Sequence, residues 1–154
     1  MKAKFLKSSE KKNVVEELKE IYGISELPYL LIETGKKKLR AFSGHLSKEE
    51  IIDLSKIINI EIIGMYLINL KDDLPRINFD AVSLLKNQVL KNIIKINKEL
   101  LNSWLRGYDL EIETKSGIVI LEYEDDLVGI GKSNGKKIYN YIPKERKIKS
   151  SIIY

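Results

Sequence analysis

A chain of 154 residues holds one domain or two small ones, and its 44% apolar and 32% charged residues strike the balance of a globular protein. The absence of cysteine excludes a disulfide framework, a thiolate zinc site and a cysteine nucleophile. A lone histidine, His45, leaves little for a multi-histidine zinc site or a Ser-His-Asp arrangement, and the net charge is +5.

The first predicted element is an amphipathic helix over residues 9–22, with Val14, Leu18 and Ile21 on one face, Ser9 as its cap and Gly23 just past its end. Tyr29 to Ile32 reads as a short strand, Gly35 as a turn, and Lys38 to Phe42 as a second strand. Ser47 and Glu50 have capping-box spacing and open a helix to about Ile57. Glu61 to Leu70 reads as a buried strand, and Pro75 closes the loop after it. A domain boundary is expected there, between 1–75 and 76–154.

Beyond it, Asp80 caps a helix to about Gln88, and Asn92 to Ile96 is a strand. Asn97 caps a helix from Lys98 to Arg106, with Leu100, Leu101, Trp104 and Leu105 as its apolar face and Gly107 as its stop. Trp104 is read as a core residue. The pattern then turns to strands: Leu110 to Glu113, Ile118 to Tyr123, Leu127 to Lys132, Lys137 to Ile142 after an Asn134-Gly135 turn, and Arg146 to Ile152. Short strands at this spacing suggest a small barrel.

Residues 1–75 carry 13 basic and 12 acidic side chains, whereas 76–154 carry 14 and 10. Within 132–149, Lys132, Lys136, Lys137, Lys144, Arg146, Lys147 and Lys149 face Glu145 alone, which suits a polyanionic partner. A solvated lysine-rich face, or the Lys, Glu and Ile enrichment of a protein from a hot environment, accounts for the same lysines without one. The N-terminus has no apolar stretch of signal length, and no run approaches the ~18 apolar residues of a membrane span, so a soluble cytoplasmic protein is expected.

Gly131-Lys132-Ser133 matches the end of a phosphate-binding loop. That motif needs glycine where this chain has Asp126, and it must lead from a strand into a helix. Here a hairpin turn follows, so Gly129 and Gly131 read as strand glycines that permit a bulge or a close backbone approach. Glu122, Glu124, Asp125 and Asp126 read as a solvated turn, and His45 as a loop or interface residue. No cofactor or metal is expected.

The order Asn97 to Leu110 (with Trp104-Leu105-Arg106-Gly107-Tyr108-Asp109-Leu110), then Gly117 to Leu121 and Leu127 to Gly131, then Asn140-Tyr141-Ile142-Pro143-Lys144-Glu145-Arg146-Lys147, resembles the PUA domain of archaeal Sun-family RNA cytosine-5 methyltransferases. Residues 1–75 are similar, through Tyr22-Gly23-Ile24, Leu27-Pro28-Tyr29 and Ile63-Gly64-Met65-Tyr66, to the small α/β pre-PUA domain of such proteins. The layout also resembles small ribosome-assembly factors. The resemblance implies an α+β chain: an α/β N-terminal domain, then a pseudobarrel of mixed strands. It implies structured RNA, tRNA or rRNA, as partner, in RNA modification or ribosome biogenesis. Mapped onto matching positions, it picks Arg106, Gly107, Asp109, Gly129, Gly131 and Lys132 as RNA-binding residues. Lys144, Arg146 and Lys147 join them on charge. The 154 residues leave no room for a methyltransferase domain of ~100–200 residues beside these two, so no catalysis is expected. An RNA-modifying enzyme or ribosome-assembly factor is a further partner. The alternative is a protein-interaction adaptor, docking through apolar strands such as Met65 to Ile68.

Overall fold

A computed structural model describes residues 3–149. The chain divides into two compact units. One comprises the residues up to Glu20 and Ile24–Ala81; the other comprises Ile21–Gly23 and the residues from Val82 onward.

The first unit is an antiparallel sheet of five strands in sequential order: β1 (Ala3–Phe5), β2 (Leu30–Thr34), β3 (Lys38–Phe42), β4 (Met65–Asn69) and β5 (Arg76–Ile77). Helix α1 (Ser8–Tyr22) follows β1, and α2 (Lys48–Ile57) joins β3 to β4. Adjacent strand residues face opposite sides of a sheet. Leu31 and Ile32 are both buried, so both faces are covered. On one of them Ile51 of α2 packs with Ile32 and Ile63, and Phe5, Leu30 and Phe42 close the cluster. The capping box at Ser47 forms as the spacing predicts, with the Glu50 amide donating to Ser47 Oγ and the Ser47 amide to Glu50. Strand β1 was not foreseen, because three residues at a terminus are too short for any period to show. Arg76 and Ile77 extend the first sheet, and the first compact unit runs on to Ala81.

Where a single helix from Asp80 was expected, the first unit ends on one 3-10 turn, Phe79–Ala81, and the second unit continues with another, Lys86–Gln88. Its sheet runs β6 (Ile93–Lys95), β7 (Gly117–Tyr123), β8 (Asp126–Ser133) and β9 (Ile138–Asn140), in that order. β6 and β7 are parallel and the other pairs antiparallel. A parallel pair requires a crossover. Helix α3 (Lys98–Leu105) and the extended segment after it supply one. Asn97 caps α3, its side chain accepting from the Leu100 amide at 2.9 Å. Ile21–Gly23 add the fully buried Tyr22, whose carbonyl accepts from the Leu90 amide at 2.8 Å.

Of the expected strands, one is absent and another does not begin among the described residues. Leu110 to Glu113 alternates apolar and acidic, yet only Leu110 pairs, with Ile138. The Ile112 amide turns back onto the Leu110 carbonyl, which breaks the ladder. Lys144–Arg146 is a 3-10 turn, no strand follows through Lys149, and the remainder of the strand expected over Arg146 to Ile152 lies outside the described residues. No helix among the described residues is long and apolar enough to cross a membrane.

Candidate nucleic-acid interface

The site is assembled around Trp104, which is fully buried in α3. Register along β7 and β8 shifts between Leu121 and Glu122: Leu121 faces Gly129 and Glu122 faces Leu127. Val128 is therefore a bulge without a partner, and its carbonyl accepts from the Trp104 indole at 3.0 Å. Gly129 makes the bulge possible by adopting φ +137, a value that side chains rarely allow. Two residues on, a Cβ at Gly131 would lie 2.6 Å from Ile138, 2.7 Å from the Tyr139 carbonyl and 3.0 Å from the Trp104 ring. Both glycines are buried. At Gly131 the close approach is to Ile138, the Tyr139 carbonyl and Trp104 of the chain's own helix.

From Trp104 the chain leaves α3 through Gly107, at φ +93. The closing segment locks this exit. Asn140 Nδ2 donates to the carbonyls of Trp104 (2.7 Å) and Tyr108 (3.0 Å), and its Oδ1 accepts from the Ile142 amide at 2.9 Å. The Asn140 amide donates to Asp109 Oδ1 at 2.8 Å, and Lys137 pairs with Asp109 Oδ2 at 3.1 Å. The Ile148 amide donates to the Leu105 carbonyl at 2.8 Å, and the Lys147 side chain lies over Gly107, where a Cβ would be 2.5 Å from it. The three recognisable motifs thus converge. The end of α3, the double-glycine strand and the Asn-Tyr-Ile-Pro segment are one piece of structure, with Asn140 as the buckle.

The predicted site residues separate into two groups. Gly107, Asp109, Gly129 and Gly131 shape the scaffold. The Asn140 amide, the Lys137 ammonium and the nearby Lys147 hold the Asp109 carboxyl below the usual carboxylate range, against a smaller opposing effect of burial. A carboxylate so engaged fixes the loop. Arg106, Lys132, Lys144 and Arg146 are exposed, and Lys147 is half-buried. The side chains of Arg106 and Lys132 have no hydrogen-bond or ion-pair partner among the described residues. Lys132 stands opposite Tyr139 in the β8–β9 register, next to the Gly131–Asn140 pair.

Sequence reasoning missed Asn140 as the organising residue and missed three exposed rings: Tyr108 (64%), Tyr139 (40%) and Tyr141 (38%). Alternation along 138–142, with Ile138 and Ile142 buried, was the available signal for the latter two.

Gly129 to Ser133 lies wholly within β8 and no helix follows it, so the context of a phosphate-binding loop is missing. Ser133 is buried, its Oγ accepting from the Gly135 amide at 3.0 Å. The acidic residues of the β7–β8 hairpin are exposed or paired, Asp126 with Lys86 at 2.8 Å and Glu122 with Lys95 at 3.6 Å. No group of three or more metal-ligating side chains occurs among the described residues. His45 is exposed in the loop before α2.

Residues 91–148, which contain all three motif segments, match the family model of the methyltransferase RsmF PUA domain. The mixed sheet of the second unit is consistent with a PUA pseudobarrel, and the whole chain is α+β. PUA domains generally bind RNA. No curated protein matches the chain.

Proposed function

We propose that this protein binds structured RNA, tRNA or rRNA, in RNA modification or ribosome biogenesis in the cytoplasm, as a binding protein without catalysis of its own. The observation that carries this reading is the buckle at Asn140. It draws the α3 exit loop, β8 and the closing segment together, so that Arg106, Lys132, Lys144, Arg146 and Lys147 belong to one unit. That unit lies in the more basic half of the chain. Helical RNA buries its base edges in a deep groove, so cations of this kind meet phosphates and 2′-hydroxyls. Filter binding of tRNA and rRNA fragments at low salt tests the reading. Binding is expected, and Arg106→Ala combined with Lys132→Ala weakens it at least several-fold. Absent binding, or binding indifferent to the double substitution, overturns it.

A second reading concerns the first unit, which we take as the pre-PUA domain. Ile57 (81%), Ile62 (73%) and Ile58 (51%) are exposed around the end of α2, an apolar surface suited to an RNA-modifying enzyme or ribosome-assembly factor. Copurification of one protein that survives nuclease treatment, and is lost with Ile57→Ser plus Ile62→Ser, supports that adaptor role.

A further inference from the structure

Tyr108 is the most exposed aromatic side chain among the described residues, at 64%. Its backbone is nevertheless fixed on both sides. Its amide donates to the Ser103 carbonyl at 3.1 Å, and its carbonyl accepts from Asn140 Nδ2 at 3.0 Å. The two hydrogen bonds hold the backbone in place while most of the residue stays open to solvent. Cations lie at both of its chain neighbours: Lys147 over Gly107, and Lys137 paired with Asp109. Arg106, two residues back, has an unpartnered guanidinium among the described residues. Tyr139 is a weaker candidate, because its ring already has the Lys137 ammonium 5.5 Å from its centroid and its hydroxyl accepts from Asn134 at 3.2 Å.

An exposed ring on a fixed backbone, with cations at the residues beside it in the chain, fits a nucleotide: phosphate to the cations, base to the ring. The bases of a duplex are stacked on one another and offer no face. Only an unpaired base can lie on an exposed tyrosine. We propose that Tyr108 stacks on an unpaired base of the bound RNA, so that the protein selects structured RNA with a single-stranded nucleotide beside the helix. This rests on the RNA-binding reading above and names the part of the RNA that is recognised.

The test uses the full chain and two RNAs with the same stem. One is a stem-loop with 2-aminopurine in the loop; the other is a blunt duplex with 2-aminopurine paired. The wild-type protein binds the stem-loop more tightly and quenches its fluorescence. Tyr108→Ala weakens stem-loop binding by about 5- to 150-fold, the range of one lost base stack, and leaves duplex affinity nearly unchanged. Tyr108→Phe restores both quenching and affinity. Quenching that persists in Tyr108→Ala, or an equal loss on both RNAs, overturns the proposal. Salt-sensitive binding of both RNAs alike without quenching removes the stacking role and leaves RNA binding intact. No binding to either RNA at low salt removes both.

Discussion

Asp109 and Gly131 show how residues that look like ligand contacts in a motif serve the fold. Asp109 accepts from the Asn140 amide and pairs with Lys137, which keeps its proton affinity below the ordinary carboxylate value. A carboxylate with a lowered folded pKa adds stability above its unfolded pKa, about 3.9, and that stability is lost as pH falls through the lower folded value. Asp109→Asn is therefore less stable than wild type at neutral pH, and the gap narrows as pH falls from about 5 to about 2. Urea midpoints across that range check it, and a constant gap would contradict it. At Gly131 the constraint is steric. Gly131→Ala places a methyl group against Ile138, the Tyr139 carbonyl and Trp104. The expected cost is about 1–3 kcal/mol, with no change in duplex RNA preference once the variant is folded. A neutral effect in urea denaturation would show that the strand yields more readily than its packing implies.

α3 is the element on which the interface depends. It has only eight residues, too few to be stable from propensity alone, so its cap and its buried face decide whether it forms. Asn97 caps the start, Leu101 and Trp104 are buried, and the Trp104 indole is satisfied by the bulged Val128. Asn97→Ala removes one side-chain acceptor from the first turn and costs about 1 kcal/mol. Thermal or urea unfolding measures this. Because the helix end positions Arg106 and Tyr108, the same variant loses some affinity for the loop-containing RNA. Unchanged stability would mean that water serves the orphaned amide equally well.

Across the whole molecule, charge predicts how binding responds to salt. Five cations were assigned to the interface: Arg106, Lys132, Lys144, Arg146 and Lys147. Each phosphate contact contributes about −0.7 to −0.9 to the slope of log Kobs against log salt, so all five together give roughly −3.5 to −4.5. Arg106→Ala plus Lys132→Ala should make that slope shallower by about 1.4–1.8. A much steeper wild-type slope would mean that basic residues outside this set, such as Lys36 and Lys37 in the β2–β3 turn, also meet the RNA.

Much of this was legible in the chain itself. Capping at Ser47 and Asn97, the strands β3 and β7, the termination of α3 at Gly107 and the PUA-like segment all rest on interactions between residues close in sequence. Local hydrogen bonds and side-chain period decide such features, and both can be read off a string of letters. What the string did not show depends on distant partners. The alternation at Leu110 to Glu113 promised a strand, but a ladder needs a neighbour, and only Leu110 found one. The two glycines of β8 read as a bulge or a close backbone approach, with RNA as the partner of that approach. Both are buried in the structure: the bulged Val128 carbonyl serves the Trp104 indole, and Trp104 of α3, Ile138 and the Tyr139 carbonyl crowd Gly131. Asn140 was one letter in a closing motif until its amide met the carbonyls of Trp104 and Tyr108 more than thirty residues earlier in the chain. The sequence by itself determined most of the elements and the basic character of the second unit. The tertiary structure decided which residues of the motifs are scaffold and which face the solvent, because only packing distinguishes a glycine that admits a ligand from one that admits a helix.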